Sequence, residues 1–156
     1  MPGATTPPQG EDSLAASTTS AEVGEGVRAA IATYTQALDD GRTDDVVATF
    51  CPDGACEMPG MGTHRGHEAL RSAYEQWAPR RPQRHLVLNT VVGASDGHEV
   101  TAVSDVVFLL LGATGWSVQL VGRYHDTLHR DGAGTWRFHH RAATFVNAHP
   151  PGKGTA

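Results

Sequence analysis

The chain has 156 residues, of which 39% are hydrophobic and 19% are charged, and its formal net charge is -5. This length allows one ordinary domain and excludes a second independent core. The negative charge argues against nucleic acid as a partner. The longest apolar run, residues 106–111, is too short for a membrane-spanning helix, which needs about 20 residues.

Both ends of the chain are predicted to be disordered tails. Residues 1–20 are mostly small or polar and contain no aromatic residue, and residues 148–156 likewise have nothing to pack. Residues 21–147 are therefore the expected folded domain. No apolar block precedes Arg28, the first positive charge, so a secretory signal is not expected and the cytoplasm is the predicted location.

Three helices are predicted in the first half of the chain. Apolar residues recur at spacings of three and four between residues 22 and 40, which is typical of an amphipathic helix. A second, short helix is expected over 44–50, and a third over 67–78 before Pro79. Between them lie a brief strand at 55–58 and a Gly-rich loop that begins at Pro59.

Four long strands are predicted in the second half, because β-branched and aromatic residues dominate it. They are expected at 84–92, 100–111, 116–129 and 135–146. Their short, Gly-containing connections make successive strands antiparallel neighbours. Helices first and strands last predict an α+β fold, in which three N-terminal helices cover one face of a curved antiparallel sheet.

The other face of this sheet is also expected to be covered. The strand over 100–111 carries apolar residues on both faces, notably in the run 106–111. A second copy of the chain is the simplest cover for such a face. The sequence therefore predicts a homodimer that packs sheet on sheet.

Six local stretches resemble one known family in their order along the chain. They are IATYTQALDDG at 31–41, FCPDGA at 50–55, RGHEAL at 65–70, RHLVLN at 84–89, GRYHD at 122–126 and WRFHHR at 136–141. The series resembles the SnoaL-like branch of the nuclear transport factor 2-like superfamily, which includes polyketide cyclases, scytalone dehydratase and ketosteroid isomerase relatives. The resemblance implies a cone-shaped α+β fold but no single reaction, because this fold hosts enzymes, ligand carriers and dimerisation modules.

The resemblance implies four catalytic candidates. Tyr34 matches a tyrosine that donates a hydrogen bond to a developing enolate oxygen in ketosteroid isomerases, and Asp126 matches the buried acid beside it. Asp39 and His85 match an aspartate and a histidine of the scytalone dehydratase site. A histidine held in one tautomer by a carboxylate suits a general acid or base. A packed tyrosine and a structural histidine remain the alternatives for Tyr34 and His85.

Two positions depart from the enzymes that the chain resembles. Met58 stands where ketosteroid isomerases carry their catalytic base, and a thioether accepts no proton at neutral pH. Leu110 stands near the second histidine of the dehydratase. These two departures argue against assigning the mechanism of ketosteroid isomerase or of scytalone dehydratase to this chain unchanged.

Six further residues are predicted to bind the substrate. They are Asn89, Arg141, Tyr124, Met58, Trp77 and His139. Asn89 lies four residues after His85 on a strand, which places both side chains on one face. Arg141 would bind a carboxylate or an enolate, or would pair with Asp126. Tyr124 and Asp126 share a face of their strand, but a bulge there would turn Arg123 and His125 inward instead.

These side chains are expected to converge on a largely apolar pocket. Its predicted apolar lining is Ile31, Leu38, Met58, Met61, Trp77, Val87, Leu109 and Phe145. Such a site suits a small hydrophobic ring compound, polyketide-like or steroid-like, that bears a carbonyl or a hydroxyl group.

No metal and no cofactor are predicted. The chain has nine histidines but neither a His-x-His nor a His-Glu-x-x-His motif. The spacing of Cys51 and Cys56 matches neither a redox motif nor a zinc motif, so both are expected to be free thiols. No Gly-rich turn is placed to cradle a phosphate before a helix. The expected function is cofactor-independent acid-base catalysis of the isomerase, cyclase or dehydratase type. The alternatives are a non-catalytic ligand-binding or dimerisation module, and an accessory subunit resembling the small subunit of ring-hydroxylating dioxygenases.

Overall fold

The computed structural model describes residues 10–146, with side chains from Ser20 onward. The parts of the predicted tails at 1–9 and 148–156 lie outside the described residues. Three helices precede the long strands, and their bounds are α1 (Gly10–Asp39), α2 (Thr43–Ala48) and α3 (Gly66–Gln76). Helix α1 begins at Gly10 and not near Glu22, because no proline or glycine interrupts residues 11–23. Residues 10–20 thus continue the helix.

Six strands form one mixed sheet. They are β1 (Phe50–Met58), β2 (Gly62–Arg65), β3 (Gln83–Ser95), β4 (Glu99–Gly112), β5 (Gly115–Arg130) and β6 (Trp136–Phe145). The order across the sheet is β2-β1-β6-β5-β4-β3. The α+β class and the four long strands are confirmed, whereas β1 is longer than predicted and β2 lies where a loop was expected.

The prediction of a wholly antiparallel sheet is wrong for one pair of strands. Strand β1 runs parallel to β6, with Phe50 opposite Phe138 and Ala55 opposite His140. Antiparallel pairing follows from a short hairpin connection, and β3 to β6 are joined in that way. Most of the domain separates β1 from β6, so no hairpin dictates their direction.

The apolar stripe of α1 packs into the concave side of the sheet. Val27, Ile31, Tyr34 and Leu38 are buried there, as the spacing of these residues predicts. Helix α1 packs against β3 and β6, and α3 packs against β1. The two helices therefore stand on either side of the space that the curved sheet encloses.

The convex side of the sheet leaves several large apolar side chains exposed. They include Leu86, Leu88 and Val91 on β3 and Trp116, Val118 and Val121 on β5. In residues 10–146, none of the three helices combines the length and apolar composition that crossing a bilayer requires.

Candidate active site

A cavity of about 330 Å³ lies between the helices and the concave side of the sheet. This volume is in the range of small-molecule sites. Of the predicted apolar lining, Leu38, Met58, Met61, Trp77 and Phe145 contribute to the wall. The remaining apolar wall is formed by Val106, Phe108 and Leu120, and the polar groups are Tyr34, Tyr74, Gln83, His85 and Tyr124.

Three predicted lining residues lie elsewhere. Ile31 and Val87 face a neighbouring groove beside α1 and β3. Leu109 does not line the cavity, because the neighbouring Phe108 and Val106 are the residues of β4 that point into it. Regular alternation along β4 places Leu109 on the opposite face, and the register shift between Phe108 and Leu109 adds its extra residue, Gln119, to β5.

Asp39 and His85 meet at the wall of the cavity. The Nδ1 atom of His85 lies 2.6 Å from Oδ1 of Asp39, and the backbone N–H of His85 donates to Oδ2 at 2.8 Å. The Gln83 side-chain amide donates to the same carboxylate at 3.4 Å. Asp39 is the last residue of α1, where the helix dipole disfavours a negative charge. These three donors offset that cost and hold the carboxylate in place.

The geometry fixes how the His85 imidazole is oriented. Only 14% of the His85 side chain and 7% of the Asp39 side chain are exposed. A carboxylate accepts hydrogen bonds, so Nδ1 of His85 carries the proton that faces Asp39 and Nε2 is left for another partner. The ring also stacks on Phe108, with 4.5 Å between the centroids. His85 is thus held on two sides at the edge of an apolar space.

Two tyrosines and a cysteine form a buried polar chain beside this pair. The Tyr34 and Tyr74 hydroxyls are 2.9 Å apart, and the Tyr74 hydroxyl lies 3.2 Å from Sγ of Cys56. Burial raises the pKa of both tyrosines, so both hydroxyls keep their protons at neutral pH. The Tyr74 hydroxyl donates to Sγ of Cys56, so Tyr34 donates to Tyr74 and its proton turns away from Tyr74 when it bonds a ligand in the cavity.

Asp126 and Arg141 are joined in a buried ion pair beneath the cavity. Nε and Nη2 of Arg141 donate to the two carboxylate oxygens of Asp126, each at 2.8 Å. The guanidinium carbon also lies 4.2 Å from the ring centroids of Tyr34 and Tyr124 and 4.0 Å from that of Phe138. Burial alone would lower the pKa of Arg141, but the Asp126 carboxylate outweighs burial and raises it.

This pairing is one of the predicted alternatives, but it places Asp126 beneath the cavity and not in its wall. The carboxylate faces Arg141 and not the Tyr34 hydroxyl, and neither member of the pair lines the cavity. Of the alternatives left open for Arg141, pairing with Asp126 is the one observed. Tyr124 and Asp126 do point inward, whereas Arg123 bonds Asp105 and His125 is exposed.

Two predicted binding residues lie outside the cavity because of bulges. Asn89 is exposed and donates to Oδ2 of Asp105 at 3.0 Å. Its φ of 54° accompanies a shift in register between Leu88 and Val91, so it does not share a face with His85. His139 lies on the convex side, where its ring stacks on His129 with 4.0 Å between the centroids.

Tyr74 and Gln83 were not predicted as site residues. Tyr74 belongs to the apolar stripe of α3, so its sequence pattern is that of a packing residue. Gln83 directly precedes the strand predicted at 84–92, and it belongs to no hydrophobic periodicity in the sequence. Only the tertiary structure brings its amide to the carboxylate of Asp39.

The buried thiol predicts a loss of stability in alkali. Burial raises the pKa of Cys56 from 9.0 to about 11. The folded state therefore favours the neutral thiol, and its contribution is complete below pH 9 and lost as the pH rises to 11. We expect the free energy of unfolding to fall by roughly 2 to 3 kcal/mol over this interval on account of Cys56.

Urea unfolding at pH 7, 9, 10 and 11 would measure this effect. The Cys56→Ala variant is the control, and it should lose less stability between pH 9 and pH 11 than the unmodified protein. Equal losses in the two proteins would show that Cys56 does not titrate in this way.

A family model for the SnoaL-like domain matches residues 19–142 of this chain. No curated protein matches the chain significantly. Among solved structures, a variant of Rv3472, a protein of unknown function from Mycobacterium tuberculosis, is 27% identical with a TM-score of 0.72. The match covers 78% of this chain and 70% of that one.

Two other solved structures resemble this chain over most of its length. A provisionally named scytalone dehydratase from Novosphingobium aromaticivorans is 19% identical, with a TM-score of 0.75 over 89% of this chain and 99% of its own. ActVI-ORFA from Streptomyces coelicolor is 21% identical, with a TM-score of 0.73 over 80% of this chain and 97% of its own. At these identities the likeness shows a shared fold.

Proposed function

The chain belongs to the SnoaL-like family, and we propose that it is a cofactor-independent acid-base enzyme acting on a small, uncharged, hydrophobic ring compound. The reaction is of the isomerase, cyclase or dehydratase type, as the resemblance to those enzymes implies. One observation carries this proposal: the Asp39–His85 pair lies at the wall of an apolar cavity large enough for such a ligand.

His85 is the proposed proton carrier. Asp39 holds its Nδ1–H, so Nε2 takes a proton from a carbon next to the carbonyl of the ligand and leaves an enolate. The imidazolium then returns the proton to another carbon of the ligand, or to a hydroxyl that leaves as water. Asp39 lowers the cost of the transient positive charge, because its carboxylate is 2.6 Å away.

The tyrosine hydroxyls are the proposed partners of the ligand oxygen. Tyr34 and Tyr124 line the cavity, and burial raises the pKa of Tyr124 to about 12. A neutral hydroxyl in a water-poor site stabilises a developing oxyanion by hydrogen bonding. Tyr34 supplies this bond when its own donor is turned from Tyr74 toward the ligand.

The lining supports an uncharged ligand. Among the described residues that form the wall, none is lysine, arginine, aspartate or glutamate. Arg141 lies outside the wall and is engaged by Asp126. A carboxylate or phosphate on the ligand would therefore enter without a compensating charge, at a high cost in free energy.

Deuterium exchange would test the proposal directly. We expect the protein to accelerate uptake of solvent deuterium at the carbon next to the carbonyl of a bicyclic ketone such as 2-tetralone, followed by mass spectrometry. Quenching of Trp77, which lines the cavity, would report binding separately. Binding without accelerated exchange would favour the alternative of a non-catalytic ligand-binding module. Absence of both binding and exchange would favour the alternative of an accessory subunit.

We also propose that the convex side of the sheet forms a homodimer. Leu86, Val107 and Val121 lie opposite one another on β3, β4 and β5, and Leu86 and Val121 are 47% and 39% exposed. A second copy presents the same apolar row and removes it from water.

Val121→Glu should convert this dimer to a monomer, because each interface would bury two unpaired carboxylates. Sedimentation equilibrium would measure the mass. Ser72→Glu is the matched control, since Ser72 is exposed on α3 and lies away from the convex side of the sheet. A protein that is monomeric before any substitution, or a Val121→Glu protein that stays dimeric, would contradict the proposal.

A further inference from the structure

Three potential metal ligands lie together on the convex side of the sheet, away from the cavity. They are Cys51 on β1, His139 on β6 and His129 on β5. Sγ of Cys51 and one ring nitrogen of each histidine lie within 4.8 Å of one another. None of the three residues lines the cavity wall.

Two bulges bring these side chains to one face. On β5 and β6, Leu128 pairs with Phe138 and Thr127 pairs with His140, so His139 is an extra residue without a partner opposite it. On β1 and β6, the register also shifts between Phe50 and Ala55. A bulge turns a side chain that alternation would place on the opposite face. Cys51, His139 and His129 thus form a row across three neighbouring strands.

His139 has a buried nitrogen without a partner. Its Nδ1 makes no hydrogen bond with any described residue, although it is shielded from water. A buried polar atom left unpaired costs free energy and calls for an explanation. The carboxylate oxygen Oδ1 of Asp53 lies 3.8 Å away, too far for a hydrogen bond.

His129 is oriented as metal-binding histidines are. Its Nε2 lies 2.8 Å from Oε2 of Glu99 on β4, so the Nε2–H donates to the carboxylate and Nδ1 is left as the free nitrogen. A ligating histidine commonly gives its second ring N–H to a carboxylate in this way, which fixes its tautomer and increases its basicity. Glu99 lies directly opposite His129 in the sheet.

We propose that Cys51, His129 and His139 bind a divalent transition-metal ion of the zinc type, with a water molecule as the fourth ligand. One sulfur, two imidazole nitrogens and one water oxygen are a donor set that suits tetrahedral Zn²⁺. Glu99 is the positioning residue of His129. The ion ties β1 to β6 and β5, and through Glu99 to β4, at the one parallel strand pair of the sheet.

The ion can enter from solvent, but the imidazoles of His129 and His139 stack with 13° between their planes, so they rotate apart on binding to direct both nitrogen lone pairs at one ion. The imidazoles of His129 and His139 are about one-third exposed, whereas Cys51 is buried behind them. The thiolate is the form that binds a metal, so binding releases the thiol proton of Cys51 to solvent. Arg137 is the neighbouring cation, and its guanidinium is engaged by Asp131 and by the backbone carbonyl of Ala48.

Titration of the full chain with Co²⁺ would test the site. A tetrahedral cobalt thiolate gives intense visible bands and a sulfur-to-metal charge-transfer band in the near ultraviolet. We expect both to saturate at one equivalent and to disappear when Zn²⁺ is added. Cys51→Ser should remove the charge-transfer band, and His139→Ala should weaken binding further than the roughly 10- to 100-fold expected for Glu99→Gln.

His140→Ala is the matched control. His140 follows His139 on the same strand but faces Glu57, at 3.6 Å, so its loss should leave the titration unchanged. Absence of the charge-transfer band in the unmodified protein, or its persistence in Cys51→Ser, would overturn the proposal. Equal weakening by His139→Ala and His140→Ala would also overturn it, because the ion would then be bound adventitiously among the nine histidines. His139 is partly exposed, so its variant tests the site even if Cys51→Ser fails to fold.

Discussion

His85→Gln is expected to slow deuterium uptake by the bound ketone by about 10²- to 10⁴-fold, the contribution that a positioned acid-base group typically makes. The glutamine side chain fills a similar space and keeps a donor toward Asp39, but its amide cannot act as a general acid or base at neutral pH. Binding, read from Trp77 quenching, should change little, because the apolar wall supplies most of the contact. The loss should therefore fall on the rate and not on the affinity.

Two further variants separate a catalytic histidine from a structural one. Asp39→Asn keeps the size of the side chain but weakens the hydrogen bond that orients His85, so it should lower the rate by less than His85→Gln does. His125→Gln changes an exposed histidine of the same sheet and should have no effect. An exchange rate in His85→Gln equal to that of the unmodified protein would exclude His85 as the proton carrier.

The sequence predicted those parts of the fold that depend on local pattern. The 3.6-residue period of α1 places Tyr34 and Leu38 on the buried face, and they are found there. Glycine-containing turns between long β-rich runs predict the meander from β3 to β6, which is also observed. The parallel pairing of β1 with β6 could not be predicted, because it joins segments distant in the chain and depends on how the helices fold back.

The site could be predicted only where strand alternation is regular. Tyr124 and Asp126 point inward as expected, because no bulge interrupts β5 between them. Asn89 and His139 were placed wrongly, because each lies at a shift in register that single-sequence periodicity does not reveal. The contact between Asp39 and His85 was expected from the family resemblance, whereas its third member, Gln83, required the structure.

The second large effect is expected from the buried ion pair beneath the cavity. Asp126→Asn should lower the free energy of unfolding by about 3 to 5 kcal/mol, because it leaves the Arg141 guanidinium buried without a counter-charge. Arg141 is 0% exposed and Asp126 is 3% exposed, so water cannot replace the lost interaction. The guanidinium already has one unpaired nitrogen, Nη1, among the described residues. Urea unfolding at neutral pH would measure the change.

Replacing both members should cost less than replacing one. In Asp126→Leu combined with Arg141→Met, no charge remains to be desolvated, and methionine can fill the space between Tyr34, Tyr124 and Phe138. Arg123→Met is the exposed control, since the Arg123–Asp105 pair is half in water and should contribute at most about 1 kcal/mol. A loss in Asp126→Asn no greater than that in Arg123→Met would contradict this account. The aromatic packing around Tyr34, and not the ion pair beneath the cavity, would then be what stabilises this part of the fold.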